Sequence, residues 1–197
     1  MILDCIRHGV TASNLAGRFN DSENEGLAAE RIDLFERAFL DAASYDMVFV
    51  STLRRCVETA ERLGLREWIS EARIAELRFG IFKGLTPAQC EAKHPEAFRA
   101  FSALDADYAH PGGESRAEHL SRVSSWLEET ARLSPRRVLA ITHGGVIDFL
   151  YRTATDHPLH GGGQIFAGAN LARSRFEVDW PRLRLIIFNE PLVATTE

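Results

Sequence analysis

Two histidines in this chain lie in short motifs that suit phosphate chemistry. His8 stands between Arg7 and a glycine, directly after an apolar N-terminal run, and His143 follows another apolar run in the motif Thr-His-Gly-Gly. A neutral imidazole nitrogen can attack phosphorus, and a guanidinium can hold two phosphate oxygens at once. With an arginine pair at positions 54 and 55 and an acidic residue between the motifs, the two histidines indicate phosphoryl transfer through a phosphohistidine.

Three predicted strands would bring these side chains together. Apolar runs at 1–6, 47–50 and 138–141 have the composition of strands covered on both faces. If these strands are parallel neighbours, their carboxyl ends deliver both histidines and the arginines to one edge of the sheet, where open α/β folds bind ligands. Positive charge at that edge would lower the pKa of His8 and keep it neutral near pH 7.

Capping signals and apolar periodicity predict the helices between these strands. An apolar stripe predicts a helix over about 27–43, and Ser51 is predicted to be the N-cap of the next one. Thr86 and Ser115 each begin a capping box, with Gln or Glu three residues later. Two alternating runs beyond residue 170 predict an antiparallel hairpin, whose four arginines are expected on its solvated face.

The order of these elements predicts one domain over residues 1–197. Strand and helix alternate through the first 150 residues, which favours a three-layer α/β/α sandwich with a mostly parallel central sheet and the C-terminal antiparallel hairpin. A chain of 197 residues is long enough to bury a sizeable core.

Composition narrows the range of partners. The net charge of −5 argues against general attraction to nucleic acid or to an anionic membrane surface. The three cysteines have no metal-ligand spacing and do not resemble a disulfide framework, and no signal-peptide pattern opens the chain. We therefore expect a cytoplasmic protein that binds neither nucleic acid nor membrane. The sequence leaves the oligomeric state open, a homodimer included.

Taken in order, the motifs resemble those of the histidine phosphatase superfamily, in its phosphoglycerate mutase-like branch. They are the signature Arg7-His8-Gly9-Val10-Thr11 with Asn14, the pair Gly17-Arg18, the segment 51–60, Glu76 in Ala75-Glu76-Leu77-Arg78-Phe79-Gly80, Pro111-Gly112-Gly113-Glu114-Ser115 and Thr142-His143-Gly144-Gly145. The resemblance implies a phosphoglycerate mutase-like fold, and it selects Arg55 rather than Arg54 as the phosphate-binding member of its pair.

The resemblance also implies a role for each matched residue. His8 would be the nucleophile and Glu76 the proton donor, with Arg7, Arg55 and His143 completing the catalytic set. The residues implied to bind substrate are Thr11, Asn14, Arg18, Glu114, Ser115 and Gly144. Thr11 and Asn14 could instead be loop-capping residues. The expected ligands are a small phosphomonoester and inorganic phosphate, and neither a metal nor a cofactor is expected.

Two alternatives stay open beside a metal-independent phosphatase. One is a cofactor-dependent phosphoglycerate mutase, although mutases of this family generally have longer chains. The other is a non-catalytic regulatory or binding domain of the same fold. The sequence departs from the family pattern at 20–26 and 155–170, which leaves the substrate unnamed. Lys83 also stands where the family commonly has glutamate.

Overall fold

The computed structural model describes residues 1–20, 24–103, 105–159 and 165–192. Over these residues, six strands form one mixed sheet in the order β3-β2-β4-β1-β5-β6. The strands are β1 (Ile2–Arg7), β2 (Met47–Ser51), β3 (Ile69–Glu71), β4 (Arg137–Thr142), β5 (Ala172–Asp179) and β6 (Arg182–Pro191). The first four are parallel, β5 pairs antiparallel with β1, and β6 pairs antiparallel with β5, which confirms the predicted sheet.

Regular α-helices connect the strands. They are α1 (Ala12–Leu15), α2 (Arg54–Arg62), α3 (Pro87–Lys93), α4 (Pro95–Ser102), α5 (Arg116–Arg132) and α6 (Gly144–Ala154). The capping boxes at Thr86 and Ser115 are present as predicted, and His94 separates α3 from α4. Among the described helices, none has the length and apolar character needed to cross a bilayer.

Alternate residues of the buried strands point into two separate cores. Val138 and Ala140 of β4 pack with α5 and α6, whereas Leu139 and Ile141 pack with Cys56 and Ala60 of α2. A strand with period two can be apolar throughout only if both faces are covered, so helices lie on each side of the sheet. This arrangement confirms the predicted three-layer α/β/α architecture.

The predicted helix over 27–43 is wrong. The segment contains a 3₁₀ helix, Ala29–Arg37, and a shorter one at Ala42–Ser44, and no residue of the first is buried. Phe35 packs against the loop after β1. A Cβ added to Gly9 in that loop would lie 2.8 Å from the ring of Phe35. The apolar residues of this segment therefore do not share one packing surface, because Leu40 and Ala42 contact the core on the α2 side of the sheet whereas Phe39 is exposed. Without a shared packing surface a regular helix is not stabilised.

The predicted solvated face of the hairpin is also wrong in part. Arg175 donates two hydrogen bonds of 2.7 and 2.8 Å to the carboxylate of Asp4, which is fully buried in β1. Arg173 is paired with Glu190, while Arg184 is largely exposed and paired with Glu177. A buried carboxylate needs a charged partner, so the hairpin supplies one from the strand next to β1.

Candidate active site

The carboxyl ends of β1 and β4 bring the two histidines together. Arg7 is opposite Thr142 in the parallel register, and the backbone N–H of His8 donates to the Thr142 carbonyl at 3.0 Å. The imidazole ring centroids of His8 and His143 are 5.1 Å apart. Two neighbouring strands therefore bring together two histidines that are more than 130 residues apart in the sequence.

The imidazole of His8 is held in the form of a nucleophile. Its Nδ1 lies 2.7 Å from the carbonyl oxygen of Gly9, and a carbonyl can only accept, so Nδ1 carries the proton. Nε2 is therefore the unprotonated nitrogen, and it is buried without a hydrogen-bond partner. Burial first, and then the charges of Arg55 and Arg7, hold the pKa of His8 well below its usual range, which favours the neutral ring.

Ser51 fixes the second imidazole. His143 Nε2 lies 2.8 Å from the Ser51 hydroxyl oxygen and 3.3 Å from the Cys56 sulfur, and the ring is fully buried. Burial, followed by the charge of Arg55, lowers the pKa of His143 as well. Ser51 was predicted to be a helix N-cap, but the N-cap of α2 is Leu53, and the Ser51 hydroxyl instead contacts His143.

Arg7 and Arg55 approach the histidines from different elements. Arg7 ends β1 and donates from Nη1 to the Gly168 carbonyl at 2.6 Å, while its Nε is buried without a partner. Arg55 lies in the first turn of α2 and is only 2% exposed. Its neighbour Arg54 points outward to pair with Glu58, so the structure separates the two members of the arginine pair.

The carboxylate of Glu76 lies at the N-terminus of α6. Its Oε1 accepts hydrogen bonds from the backbone N–H groups of Leu77 at 2.9 Å and Gly145 at 3.1 Å. Oε2 has a longer contact of 3.4 Å with Gly145 N, so it is the less tightly bonded of the two oxygens. A Cβ at Gly145 would lie 2.3 Å from Oε1, so the close approach requires glycine there.

Arg122 of α5 clamps the segment that carries Glu76. Its guanidinium donates to the backbone carbonyls of Arg73, Ala75 and Glu76 at 2.6 to 3.0 Å. The same guanidinium donates to the buried carboxylate of Glu114 at 2.7 Å. Glu114, predicted to bind substrate, is therefore bonded to Arg122, and Arg122 in turn holds the backbone of Glu76.

The structure places the other predicted substrate-binding residues in two groups. Thr11 and Asn14 form the capping box of α1, and Ser115 caps α5, so these three have structural contacts. Arg18 and Gly144 line a cavity, which Asn14 also reaches. Whether any of them touches substrate stays a prediction.

Two cavities meet at Glu76. The first, here the α2 cavity, has a volume of about 330 Å³ and is lined by Thr52, Arg55, Arg78 and Lys83, among others. The second, here the α5 cavity, has a volume of about 290 Å³. Its lining includes Arg7, Arg18, Phe19, Phe79, Phe101, Arg116, His119, Leu120, Asp148 and Ile165. Since Glu76 lines both, a bound phosphomonoester could place its phosphoryl group beside the histidines and extend its remaining part into either cavity.

Sequence reasoning missed several residues that shape this region. Ser51, as the partner of His143, and Arg122, as the clamp, were not singled out. Asn170, whose side chain donates to the His8 carbonyl at 2.8 Å, was also missed. Arg116 and His119 could have been found from the sequence. They stand at positions i and i+3 after a helix cap, so they share a helix face, and this face continues into the apolar residues of α5. Among the described residues, no group of three or more His, Cys, Asp or Glu is arranged to hold a metal ion.

Comparison with known proteins identifies the family. A family profile described as histidine phosphatase superfamily (branch 1) matches residues 3–191. The chain is 31% identical to the metal-independent phosphoserine phosphatase of Arabidopsis thaliana over 166 residues, covering 76% of this chain and 67% of that protein. It is 32% identical to the glucosyl-3-phosphoglycerate phosphatase of Mycobacterium tuberculosis over 158 residues, covering 72% of this chain and 70% of that protein.

A solved structure shares the fold over the whole chain. The crystal structure of a protein described as an alpha-ribazole-5'-P phosphatase of Escherichia coli superposes with a TM-score of 0.80 at 21% identity, covering 99% of this chain and 100% of that one. This likeness confirms the phosphoglycerate mutase-like α/β fold. The named phosphatases among the relatives and the geometry of the site agree with a phosphoric monoester hydrolase. The chain belongs to the histidine phosphatase superfamily, branch 1.

Proposed function

We propose that this chain is a metal-independent phosphomonoesterase that hydrolyses a small phosphorylated metabolite through a phosphohistidine on His8. The observation that carries the proposal is the state of the His8 ring. Its Nδ1 proton is held by the Gly9 carbonyl, and its Nε2 is buried, unprotonated and without a partner. A buried nitrogen left without a hydrogen bond costs free energy, which an arriving electrophile would offset.

In the first step, His8 Nε2 attacks the phosphorus in line and the P–O bond to the alcohol breaks. Arg7 and Arg55 neutralise the charge on the equatorial oxygens, and the neutral ring of His143 holds them by hydrogen bonding, which is the main protein contribution to phosphoryl transfer. Glu76 donates the proton of its carboxyl group to the departing alkoxide. General acid catalysis of this kind contributes about 10²–10⁴-fold to the rate.

In the second step, the Glu76 carboxylate removes a proton from water. The resulting hydroxide attacks the phosphohistidine, the P–N bond breaks, and inorganic phosphate leaves with His8 restored. The two backbone donors at Oε1 keep the carboxylate oriented through both proton transfers. The carboxylate alone moves the protons, and the arginines supply the positive charge, so no step requires a metal.

The relatives support the reaction class but differ in substrate. One is named a metal-independent phosphoserine phosphatase and another a glucosyl-3-phosphoglycerate phosphatase, so the substrate of this chain is proposed only as a small phosphorylated metabolite. A cytoplasmic location is part of this proposal, and the oligomeric state, a homodimer included, is left open.

Trapping the covalent intermediate tests the proposal. The enzyme is mixed with p-nitrophenyl phosphate in the presence of chelator, quenched in alkali, and analysed for phosphohistidine by mass spectrometry. We expect one acid-labile phosphoryl group on His8, no label in His8→Asn, and normal labelling in His157→Asn, which changes an exposed histidine outside the site. Phosphate release by His8→Asn at the wild-type rate would contradict the proposal, as would activity that disappears with chelator.

A separate assay distinguishes hydrolysis from isomerisation. The enzyme is given 3-phosphoglycerate together with catalytic 2,3-bisphosphoglycerate, and both phosphate and 2-phosphoglycerate are followed. Release of phosphate without 2-phosphoglycerate is the result expected of a phosphatase. Formation of 2-phosphoglycerate faster than phosphate would assign the mutase reaction instead.

A further inference from the structure

The side chain of Asn170, in the loop before β5, contacts the segment that carries the proposed nucleophile. Its Nδ2 donates to the backbone carbonyls of His8 at 2.8 Å and Gly9 at 3.3 Å, and to Asn14 Oδ1 at 3.1 Å. Backbone carbonyls can only accept hydrogen bonds, so the nitrogen of the amide, and not its oxygen, must face them. One amide group thus joins this loop to the end of β1 and to α1.

The backbone on both sides of Asn170 is anchored. Before it, the N–H of Ala169 donates to Asn189 Oδ1 at 2.6 Å, and after it, the N–H of Leu171 donates to the Arg7 carbonyl at 3.0 Å. The amide is therefore presented from a fixed piece of backbone. This is the condition for a side chain to orient other groups, since a mobile one would follow them instead.

The Asn170 amide takes the place of a strand partner beyond the end of β1. The carbonyl of Arg7, the last residue of β1, accepts from a backbone N–H, whereas the next two carbonyls accept from the Asn170 side chain. The second of these is the Gly9 carbonyl, which also lies 2.7 Å from His8 Nδ1. Asn170 therefore helps to hold the acceptor that keeps the proton of His8 on Nδ1.

The same amide sets the direction of the Asn14 side chain. Asn14 Oδ1 accepts from Asn170 Nδ2 and, at 3.2 Å, from the backbone N–H of Thr11. Both partners are donors, so they hold the oxygen end of the Asn14 amide and leave its N–H2 end on the other side. Asn14 also lines the α5 cavity together with Arg7 and Glu76. Its N–H2 group is thus available to a phosphoryl oxygen bound between them.

We propose that Asn170 is a positioning residue for phosphoryl transfer, which fixes the tautomer of His8 and the direction of Asn14. The proposal rests on the phosphatase function above and adds a residue to its machinery. By holding the Gly9 carbonyl, Asn170 leaves the lone pair of His8 on Nε2, the nitrogen that attacks phosphorus. By holding Asn14 Oδ1, it directs a second donor to an equatorial oxygen.

Two substitutions remove the donor in different ways. Asn170→Ala deletes the amide, and Asn170→Asp keeps its shape but places a carboxylate against two carbonyl oxygens. We expect kcat/KM for p-nitrophenyl phosphate to fall by about 10- to 100-fold in Asn170→Ala, because small displacements of reacting groups slow a reaction steeply. The loss in Asn170→Asp should be at least as large, because the oxygens repel each other. Urea denaturation of both variants gives the folded fraction to which each rate is referred.

Asn189→Asp is the matched control. It makes the same change of charge beside the same loop, but Asn189 Oδ1 only accepts, from the N–H of Ala169, so a carboxylate keeps this hydrogen bond. The φ of 59° at Asn189 is also one that aspartate tolerates. We expect kcat/KM within about twofold of the wild-type value, as for other substitutions that keep their contacts.

A spectroscopic measurement tests the positioning without any turnover. The ¹⁵N NMR signals of the His8 ring at neutral pH distinguish a proton on Nδ1 from a proton on Nε2. Wild type and Asn189→Asp should show the Nδ1–H tautomer, and Asn170→Ala should show a mixture of the two. Wild-type ring signals in Asn170→Ala, or wild-type kcat/KM in Asn170→Asp, would overturn the positioning role.

A double-mutant cycle tests the contact with Asn14. Asn170→Ala should cost less in the Asn14→Ala background than in wild type, by about threefold or more, because part of its effect is already lost there. Additive losses in kcat/KM would contradict an action through Asn14.

Failure of this inference can be told from failure of the phosphatase mechanism. If trapping finds no phosphohistidine but the His8 tautomer changes in Asn170→Ala, the mechanism is wrong and the positioning of the ring stands. If His8 is labelled and Asn170→Ala keeps the wild-type tautomer and rate, the mechanism stands and the role of Asn170 is wrong.

Discussion

The phosphoryl site and the α5 cavity are built in different ways. His8, His143 and Arg7 are carried by the ends of adjacent parallel strands, and their positions are fixed by backbone register and by bonds such as His8 N to the Thr142 carbonyl. Apart from Arg7 at the end of β1, the α5 cavity is lined by residues from α1 and the loop after it, from the segment 76–79, from α4, α5 and α6, and from the loop before β5.

This difference separates chemistry from specificity. Strand ends within one sheet move little relative to each other, so they suit groups that must be placed to within fractions of an ångström. Walls assembled from several loops and helices can change one at a time without disturbing the sheet. We infer that the reaction type is determined at the sheet edge and the substrate preference at the α5 cavity. The following predictions test that division.

Glu76 belongs to both regions, and changing it should have the largest effect. Glu76→Gln removes the proton donor, so hydrolysis of alkyl esters should slow by about 10²–10⁴-fold. Hydrolysis of p-nitrophenyl phosphate should slow far less at the first step, because its leaving group needs little protonation. Burst kinetics with the aryl ester and steady-state kinetics with an alkyl ester measure the two effects. Equal slowing of phosphoenzyme formation from both esters would remove the acid role.

Loss of the Arg122 clamp should weaken both stability and catalysis. Arg122→Met leaves the buried Glu114 carboxylate with the Arg78 backbone N–H at 3.1 Å and the Arg78 guanidinium at 3.6 Å, and it removes the guanidinium that donates to three backbone carbonyls. Breaking a buried ion pair costs about 3–5 kcal/mol, so urea denaturation should show a loss of that order. Alkyl-ester turnover should also fall, because the backbone of Glu76 is no longer held. Arg132→Met, on the exposed end of the same helix, should be as stable as wild type to within about 0.5 kcal/mol, and similar stabilities for the two variants would contradict the clamp.

The hairpin arginines should affect stability without affecting substrate preference. Arg175→Met takes away two hydrogen bonds from the fully buried Asp4, so the free energy of unfolding should fall by about 1–3 kcal/mol. Arg184→Met removes an exposed pair on the same hairpin and should cost at most about 1 kcal/mol. The ratio of kcat/KM for p-nitrophenyl phosphate and an alkyl phosphate ester should be unchanged in both. A changed ratio in Arg175→Met would show that the sheet also determines specificity.

The smallest predicted effect for a single side chain is a dependence of stability on pH just below neutrality. Burial lowers the pKa of His8, His110, His119 and His143 below the ordinary histidine value. As pH falls, the unfolded chain takes up these protons first, so the stabilisation is present above about pH 6.5 and is lost below it. Each histidine should cost about 0.4 kcal/mol by pH 6.5, with a slope approaching about 1.4 kcal/mol per pH unit at lower pH. Urea midpoints that stay constant from pH 8 to pH 6 would contradict this.

Much of the sheet edge was predictable from the sequence. Buried parallel strands have near-continuous apolar runs, and their ends can be read directly, which located Arg7, His8 and His143. The choice of Arg55 over Arg54 came from the family resemblance, and the structure shows its basis, since Arg55 is buried and Arg54 pairs with Glu58. The assignment of all the predicted site residues to function stays a prediction, as does a single domain over 1–197.

The remaining features depend on contacts that a linear pattern does not contain. The stripe at 27–43 has helical spacing, but its apolar side chains pack in different places, Phe35 at the loop of Gly9 and Ala42 against the core of the sheet, and the segment forms 3₁₀ turns. The strand β3 was not predicted. It has only three residues and is held by its pairing with β2, and the sequence pattern does not show that pairing. Arg175 looked like a surface residue because nothing near it in sequence reveals that Asp4 lies opposite.

The position of β1 in the sheet has a consequence for the order in which activity can arise during synthesis. This strand, made first, lies between β4 and β5, and even the N-terminal ammonium donates to the Val178 carbonyl at 2.8 Å. Neither edge of the strand that carries His8 can be paired until the ribosome has released most of the chain. A nascent chain stalled before β4 therefore holds His8, the proposed nucleophile, without His143, so hydrolysis should be detectable only once both β4 and β5 have emerged.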